Sequence, residues 1–307
     1  MSVYHFPAPF EKEHLLGCLM RYVLPQGRKE YVKVAKRVSS NVSKVNSNSY
    51  WQSVYTDILK QYLPKYHHQL ALNNTLLNVY TSLIESDFST VLAEQVKYPS
   101  KLQLKHANLE QVHKGWKWCP ECIFDDEGEC GVAYWHCEHQ FPLKKRCTKH
   151  GALLLSGCQS CGFAWSSILQ GPGPSASCPK CGSTFSERHR EDSYDDLWIE
   201  RSANGILNGS LKFDKNKVKE CFKVQYGFGE FKRQWSVAER KQIRDQQDLF
   251  GNWIDSLNLL NHLTPLPNGR NNSEHPAFNV STYVFKSYDY APIIHLLFSR
   301  YCREVLC

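Results

Sequence analysis

The stretch from Cys119 to Cys181 carries four pairs of metal-binding side chains, each pair separated by two residues: Cys119/Cys122, Cys147/His150, Cys158/Cys161 and Cys178/Cys181. Such spacing wraps a tight turn, so that both donors of a pair reach one tetrahedral ion. Four pairs complete two sites. Thirteen cysteines in a small secreted chain would read as disulfides, but crowding into paired spacing in a reducing compartment reads as metal. The last two pairs match the zinc-ribbon spacing, and sulfur-rich ligation favours zinc over hard cations. Two Zn2+ per chain are therefore expected. Sequential pairing closes the shorter loops; a cross-braced arrangement, joining the first pair to the third, is the alternative. An iron–sulfur cluster is the alternative occupant of the four-cysteine site. Cys18, Cys130, Cys137, Cys221, Cys302 and Cys307 lack such pairing and are expected to pack as small apolar side chains or to lie exposed.

Four protein donors saturate zinc and leave no position for a catalytic water. His136 and His139, in Tyr134-Trp135-His136-Cys137-Glu138-His139-Gln140, are expected to pack or hydrogen-bond around the pairs rather than ligate. The acidic run Asp125, Asp126, Glu127 and Glu129 is expected to be a solvated turn. The chain shows no phosphate loop, nucleophile elbow, H-E-x-x-H helix or deaminase signature, so a binding module is expected rather than an enzyme.

Around this centre the texture is helical. A chain of 307 residues, 42% of them hydrophobic, is long enough for more than one domain. After an extended Phe6-Pro7-Ala8-Pro9-Phe10, apolar residues at helical spacing predict helices ending near Pro25, near Ser39 and at Pro64. Two more patterns run from Leu76 to Ile84 and from Phe88 to Val96. Trp116 to Cys181 reads as turns, in which metals replace a hydrophobic core, with Gly171-Pro172-Gly173-Pro174 as a loop. Beyond Glu191 helical patterns return, broken at Tyr226-Gly227-Phe228-Gly229 and by a polar stretch from Pro265 to Pro276. The fold class expected is mainly α with small zinc-ribbon or zinc-knuckle modules. Its parts are an N-terminal helical, helix-turn-helix-like domain (1–112), a tandem zinc-binding region (113–190) and a C-terminal helical domain (191–307).

The basic excess, 37 against 30 for a formal charge of +7, suits an anionic partner. Phosphate contacts are expected from Lys33, Lys36 and Arg37, from Lys144, Lys145 and Arg146, and more weakly from Lys114 and Lys117. Of the aromatics near the metal pairs, Trp116, Tyr134 and Trp135 are expected in a small core around zinc, with a partner anchor as the other role. No opening segment has signal-peptide order, and the apolar runs fall short of a membrane span; a cytoplasmic protein is expected.

The order of these motifs resembles the TniQ/TnsD family of transposition target-site selection proteins. Phe6-Pro7-Ala8-Pro9-Phe10 with Glu13, Leu15, Leu16 and Arg21 is similar to that family's opening and first helix. Trp118-Cys119-Pro120-Glu121-Cys122, Tyr134-Trp135, His139-Gln140, Pro142 and Cys147-Thr148-Lys149-His150-Gly151 follow its knuckle order. Asn74-Thr75-Leu76 with Tyr80, and Ala291-Pro292-Ile293-Ile294-His295-Leu296-Leu297, resemble further segments. The resemblance implies an adaptor that binds target DNA or a target-bound complex, including an RNA-guided CRISPR effector, and recruits a TnsC-like AAA+ ATPase. That ATPase in turn brings the transposase. It further implies double-stranded DNA as ligand, a bacterial, nucleoid-associated setting, and room for a homodimer. Site-reading TnsD members continue into a further DNA-binding region beyond the position of Leu297, so a short TniQ-like form and a truncated chain are the two readings of this length. A zinc-ribbon transcription regulator and a zinc hydrolase are the competing functions.

Overall fold

The computed structural model describes residues 5–27, 29–42, 45–109, 115–167, 170, 173–185, 192–227, 234–259, 262–263, 266, 269–286 and 288–306. Among the described residues it is helical, with β-structure confined to isolated bridges. No described helix is long and apolar enough to cross a membrane. The chain divides into two compact units, Met1–Gln103 with Val112–Arg190, and Leu104–Gln111 with Glu191–Cys307.

In the first unit, α1 (Leu15–Val23) starts where His14 Nδ1 accepts from Leu16 N at 3.1 Å, and it passes into a 3-10 turn at Leu24–Gln26, where Pro25 stands. Helix α2 (Tyr31–Val38) buries Tyr31, Val34, Ala35 and Val38 and leaves Lys33, Lys36 and Arg37 in solvent, the split that a 3.6-residue period dictates. Helix α3 (Ser53–Tyr62) stops before Pro64. It is followed by α4 (His67–Asn74), α5 (Leu77–Leu83) and α6 (Phe88–Lys97). Asp87 caps α6 by accepting from Thr90 N at 2.8 Å. A long connection, residues 39–52, separates α2 from α3, which is not the three- or four-residue turn of a helix-turn-helix. Links of four residues or fewer join α3 to α4 (Leu63–Tyr66), α4 to α5 (Thr75–Leu76) and α5 to α6 (Ile84–Asp87).

Two expectations give way here. The acidic run is not a turn: it lies on α7 (Pro120–Cys130), which opens with Pro120 in its first turn and closes at Gly131 with φ +73°. Proline at the first position and glycine just past the last are strong helix punctuation. Nor does the cysteine-rich stretch form a domain separate from the N-terminal helices. Trp116, Trp118, Trp135 and Trp165 are buried in one core with Leu15, Leu19, Trp51, Val54 and Ile58. Metal therefore supplements this apolar core rather than replacing it. Trp118 and Trp165 meet edge to face at 4.8 Å, and Trp116 meets Trp135 at 4.9 Å. Gly17 permits the approach, since a Cβ there would stand 3.1 Å from Trp135 Cβ. The backbone is joined at the same place: His14 N donates to Trp135 O at 2.6 Å and Cys137 N to Lys12 O at 2.8 Å.

The second unit contains α8 (Tyr194–Leu207), α9 (Lys215–Tyr226), α10 (Val237–Ser256), α11 (Val280–Phe285) and α12 (Pro292–Tyr301), ending in a π-helical turn at Cys302–Leu306. Ser193 with Asp196, and Ser236 with Glu239, form capping boxes at α8 and α10, each meeting two otherwise orphaned backbone donors. Phe222, Phe250, Tyr283, Phe298 and Tyr301 stack through its core. Lys105, from the short N-terminal segment, donates N–H to Asp289 O at 2.6 Å. Of the two expected breaks, Phe228 and Gly229 in the first, and Pro265, Pro267 and Asn268 in the stretch from Pro265 to Pro276, lie outside the described residues, as do Gly171, Pro172 and Cys307.

Candidate metal centres

The backbone brings the first two pairs together. Cys119 precedes α7, Cys122 sits in its first turn, and the Cys147–Gly151 turn closes with Gly151 N donating to Cys147 O at 2.9 Å. Gly151 takes φ +71°, a backbone conformation that disfavours a side chain. Cys122 Sγ lies 3.6 Å from Cys147 Sγ, and His150 Nδ1 lies 3.5, 3.3 and 3.6 Å from the sulfurs of Cys119, Cys122 and Cys147. A tetrahedral zinc with ordinary bond lengths requires edges of about 3.7 Å between sulfurs and about 3.5 Å between sulfur and nitrogen. The donor set therefore fits zinc without rearrangement. The second quartet, Cys158, Cys161, Cys178 and Cys181, shows sulfur separations of 3.7 Å for Cys158–Cys181 and 3.7 Å for Cys161–Cys178. Pairing is sequential, not cross-braced.

Helix α7 supplies a neighbour that sequence reading missed. Asp125, one turn after Cys122, accepts from His150 Nε2 at 2.9 Å and also pairs with Lys149. A carboxylate on the far nitrogen fixes the tautomer, so that Nδ1 is the free donor to a metal. Asp126, on the inner side of the helix, is buried and lies 3.0 Å from His136 Nε2. The three-residue step from Cys122 to Asp125 places the two on one side only because the segment is helical. His136 thus hydrogen-bonds around the centre. His139 is fully buried with its ring 4.8 Å from that of His136, and burial lowers its pKa, keeping the imidazole neutral.

The basic residues divide sharply. Lys33, Lys36 and Arg37 are exposed on α2, although Lys33 pairs with Glu30 at 3.3 Å. Lys117 and Lys144 are buried and do not offer a surface to phosphate. Lys117 Nζ donates to the carbonyls of Phe141 at 2.7 Å and Lys144 at 2.8 Å, so its charge is spent on holding a loop. Beside it, Gln140 accepts from Lys117 N at 3.1 Å and donates to Lys117 O at 2.8 Å. Lys145 and Arg146 are half-buried, and Arg146 donates to Gly151 O at 2.9 Å. Lys114 lies outside the described residues. Trp116 and Trp135 are core residues and Tyr134 is half-buried.

Residues 4–154 match the family model described as TniQ. The match begins before the opening segment and ends just after the first quartet, leaving the second quartet and the Glu191–Cys307 part of the second unit outside it. No curated protein matches the chain.

Proposed function

Residues 4–154 make this chain a TniQ-domain protein, and on that premise we propose that it is a target-selection adaptor in DNA transposition. In this reading it engages target DNA, or a complex already bound to the target, and recruits an AAA+ transposition ATPase. The family match carries the proposal, because it spans the whole helical N-terminal part and the first metal centre together.

The chemistry of the site supports a binding role. Each quartet offers four protein donors to one ion, an arrangement that stabilises a fold but holds no water for hydrolysis. Zinc, when bound, supplies cross-linking of the turns at Cys119–Cys122 and Cys147–His150; the residues around it orient those ligands. Nucleic-acid contact is assigned to the exposed face of α2, where Lys33, Lys36 and Arg37 stand one turn apart or less. Such contacts position a protein on phosphate without reading sequence.

Reconstitution tests the reading. The purified chain, mixed with the ATPase and transposase expressed from the same element, is expected to bring the ATPase to target DNA while itself neither cleaving DNA nor hydrolysing ATP. Intrinsic nuclease activity, or failure to associate with the ATPase on any target, overturns it.

A further inference from the structure

We propose that His139 is a positioning residue of the Cys3His centre, donating its ring N–H to a ligand thiolate of that centre when metal is bound. The side chain is completely buried, and neither ring nitrogen has a hydrogen-bond partner among the described residues. Buried polar groups left without partners are uncommon in folded proteins and point to something the site is built to receive. A donor atom of His139 lies within 4.8 Å of Cys122 Sγ and of a His136 nitrogen, which sets its ring beside the sulfurs of the first quartet.

Charge supplies the reason. Three thiolates and one neutral imidazole around a divalent zinc leave a net negative centre, and hydrogen-bond donors to the sulfurs offset it. His150 cannot serve, because its Nε2 is engaged with Asp125. His136 is engaged with Asp126. His139 is the neighbouring imidazole with an N–H still available, and its backbone is fixed by the 3-10 turn Glu138–Gln140, which Gln140 ties to both backbone groups of Lys117. A third metal held by Cys122, His136 and His139 is the competing arrangement. It has only two ligands of its own, since Cys122 already belongs to the quartet. The inference rests on the metal centre alone and does not depend on the transposition reading.

The test uses the full chain carrying zinc or exchanged with cobalt(II), and the variants His139→Ala, His139→Gln and His139→Phe. Metal content is expected to remain two per chain in every variant. Transfer of zinc from the first centre to a chromogenic chelator is expected to accelerate by roughly tenfold in His139→Ala, the scale of losses from outer partners of metal ligands; the phase belonging to the other centre is identified by its absence in Cys181→Ser. The thiolate-to-cobalt charge-transfer band should shift in His139→Ala and return in His139→Gln, which restores an N–H donor. His139→Phe fills the space without donating, and should behave like the alanine variant. If His139→Phe retains the parent band and release rate, the residue only packs and the proposal fails. Three metals in the parent falling to two in His139→Ala would make His139 a ligand and also overturn it. Should His139→Ala not fold, the glutamine and phenylalanine variants decide by the same readings.

Discussion

Arg21 holds the fully buried carboxylate of Glu13 with two hydrogen bonds, Nε to Oε1 at 2.7 Å and a terminal nitrogen to Oε2 at 2.6 Å. The pair closes the opening segment onto α1: Glu13 Oε2 also accepts from Phe10 N at 2.9 Å, and the Arg21 guanidinium stacks on the Phe10 ring at 4.0 Å. Asn74 completes the junction by donating to Phe10 O at 3.0 Å and Glu13 O at 2.6 Å. Removing one member of a buried pair strands the other. Arg21→Met is therefore expected to destabilise the first unit by about 3–5 kcal/mol, with Glu13→Gln/Arg21→Met milder than the sum of Arg21→Met and Glu13→Gln. Denaturant titration of the parent, the two single variants and the double variant checks this; a double effect equal to the sum of the two single effects would show that the pair is not coupled.

Metal removal should separate the two centres. Cys122→Ser and Cys181→Ser are each expected to lose one of two zinc ions, since each breaks a different quartet. Structural zinc is worth about 10–16 kcal/mol of apparent binding energy, so chelation should expose the tryptophans that share a core with Cys158 and Cys178 of the second quartet. Metal analysis with tryptophan fluorescence reads both, and one ion or none in the parent protein would refute the two-centre arrangement.

The two classes of lysine predict opposite phenotypes. Lys117→Ala leaves two buried carbonyl oxygens without their donor and should cost on the order of 2 kcal/mol or more in stability. Alanine at Lys33, Lys36 and Arg37 should leave stability nearly unchanged. It should instead reduce the salt dependence of duplex DNA binding by about 0.9 log units per lost phosphate contact. Binding isotherms at several salt concentrations, beside thermal melts, distinguish the classes; unchanged salt slopes in the triple variant would remove α2 from the interface.

His14 predicts a pH dependence. Its Nδ1 accepts from Leu16 N, which leaves Nε2 as the N–H that donates to Ser47 O at 3.0 Å. Complete burial lowers its pKa from the ordinary 6.5 to about 3. The unfolded chain therefore takes up a proton near pH 6.5 that the folded chain refuses until about pH 3. Stability contributed by neutral His14 is present above that window and falls as pH drops through it, by up to about 1.4 kcal/mol per pH unit. His14→Gln should flatten this slope relative to the parent, measured as the difference between the two proteins so that acid loss of zinc cancels. Parallel stability curves would show that His14 does not titrate on unfolding.

Overpacking at the Gly17–Trp135 contact is the last test. A Cβ at 3.1 Å from Trp135 Cβ is close enough to force one partner to move. Gly17→Val is expected to cost about 1–3 kcal/mol, and a neutral result in thermal melts would mean that α1 and the Trp135 segment can separate freely.

What the sequence determined by itself is what depends on near neighbours. Pro25 and Pro64, with apolar residues at helical spacing, set the ends of α1 and α3, and the amphipathic pattern of Tyr31, Val34, Ala35 and Val38 set α2. The eight metal-binding side chains were legible because two-residue spacing is itself the geometry of the turn. Helix α7 was hidden because its sequence carries two cysteines, five acidic residues and a glycine, a composition with little apolar period. Tertiary structure alone decided which charges are surface and which are scaffold. Nothing local marks Lys117 and Lys144 as buried, and for Lys117 it is the distant carbonyls of Phe141 and Lys144 that take up its ammonium group. It also decided that the cysteine-rich stretch and the N-terminal helices share one core, because a tryptophan cluster is assembled from residues far apart in the chain, and no periodicity records a contact such as that of Gly17 with Trp135.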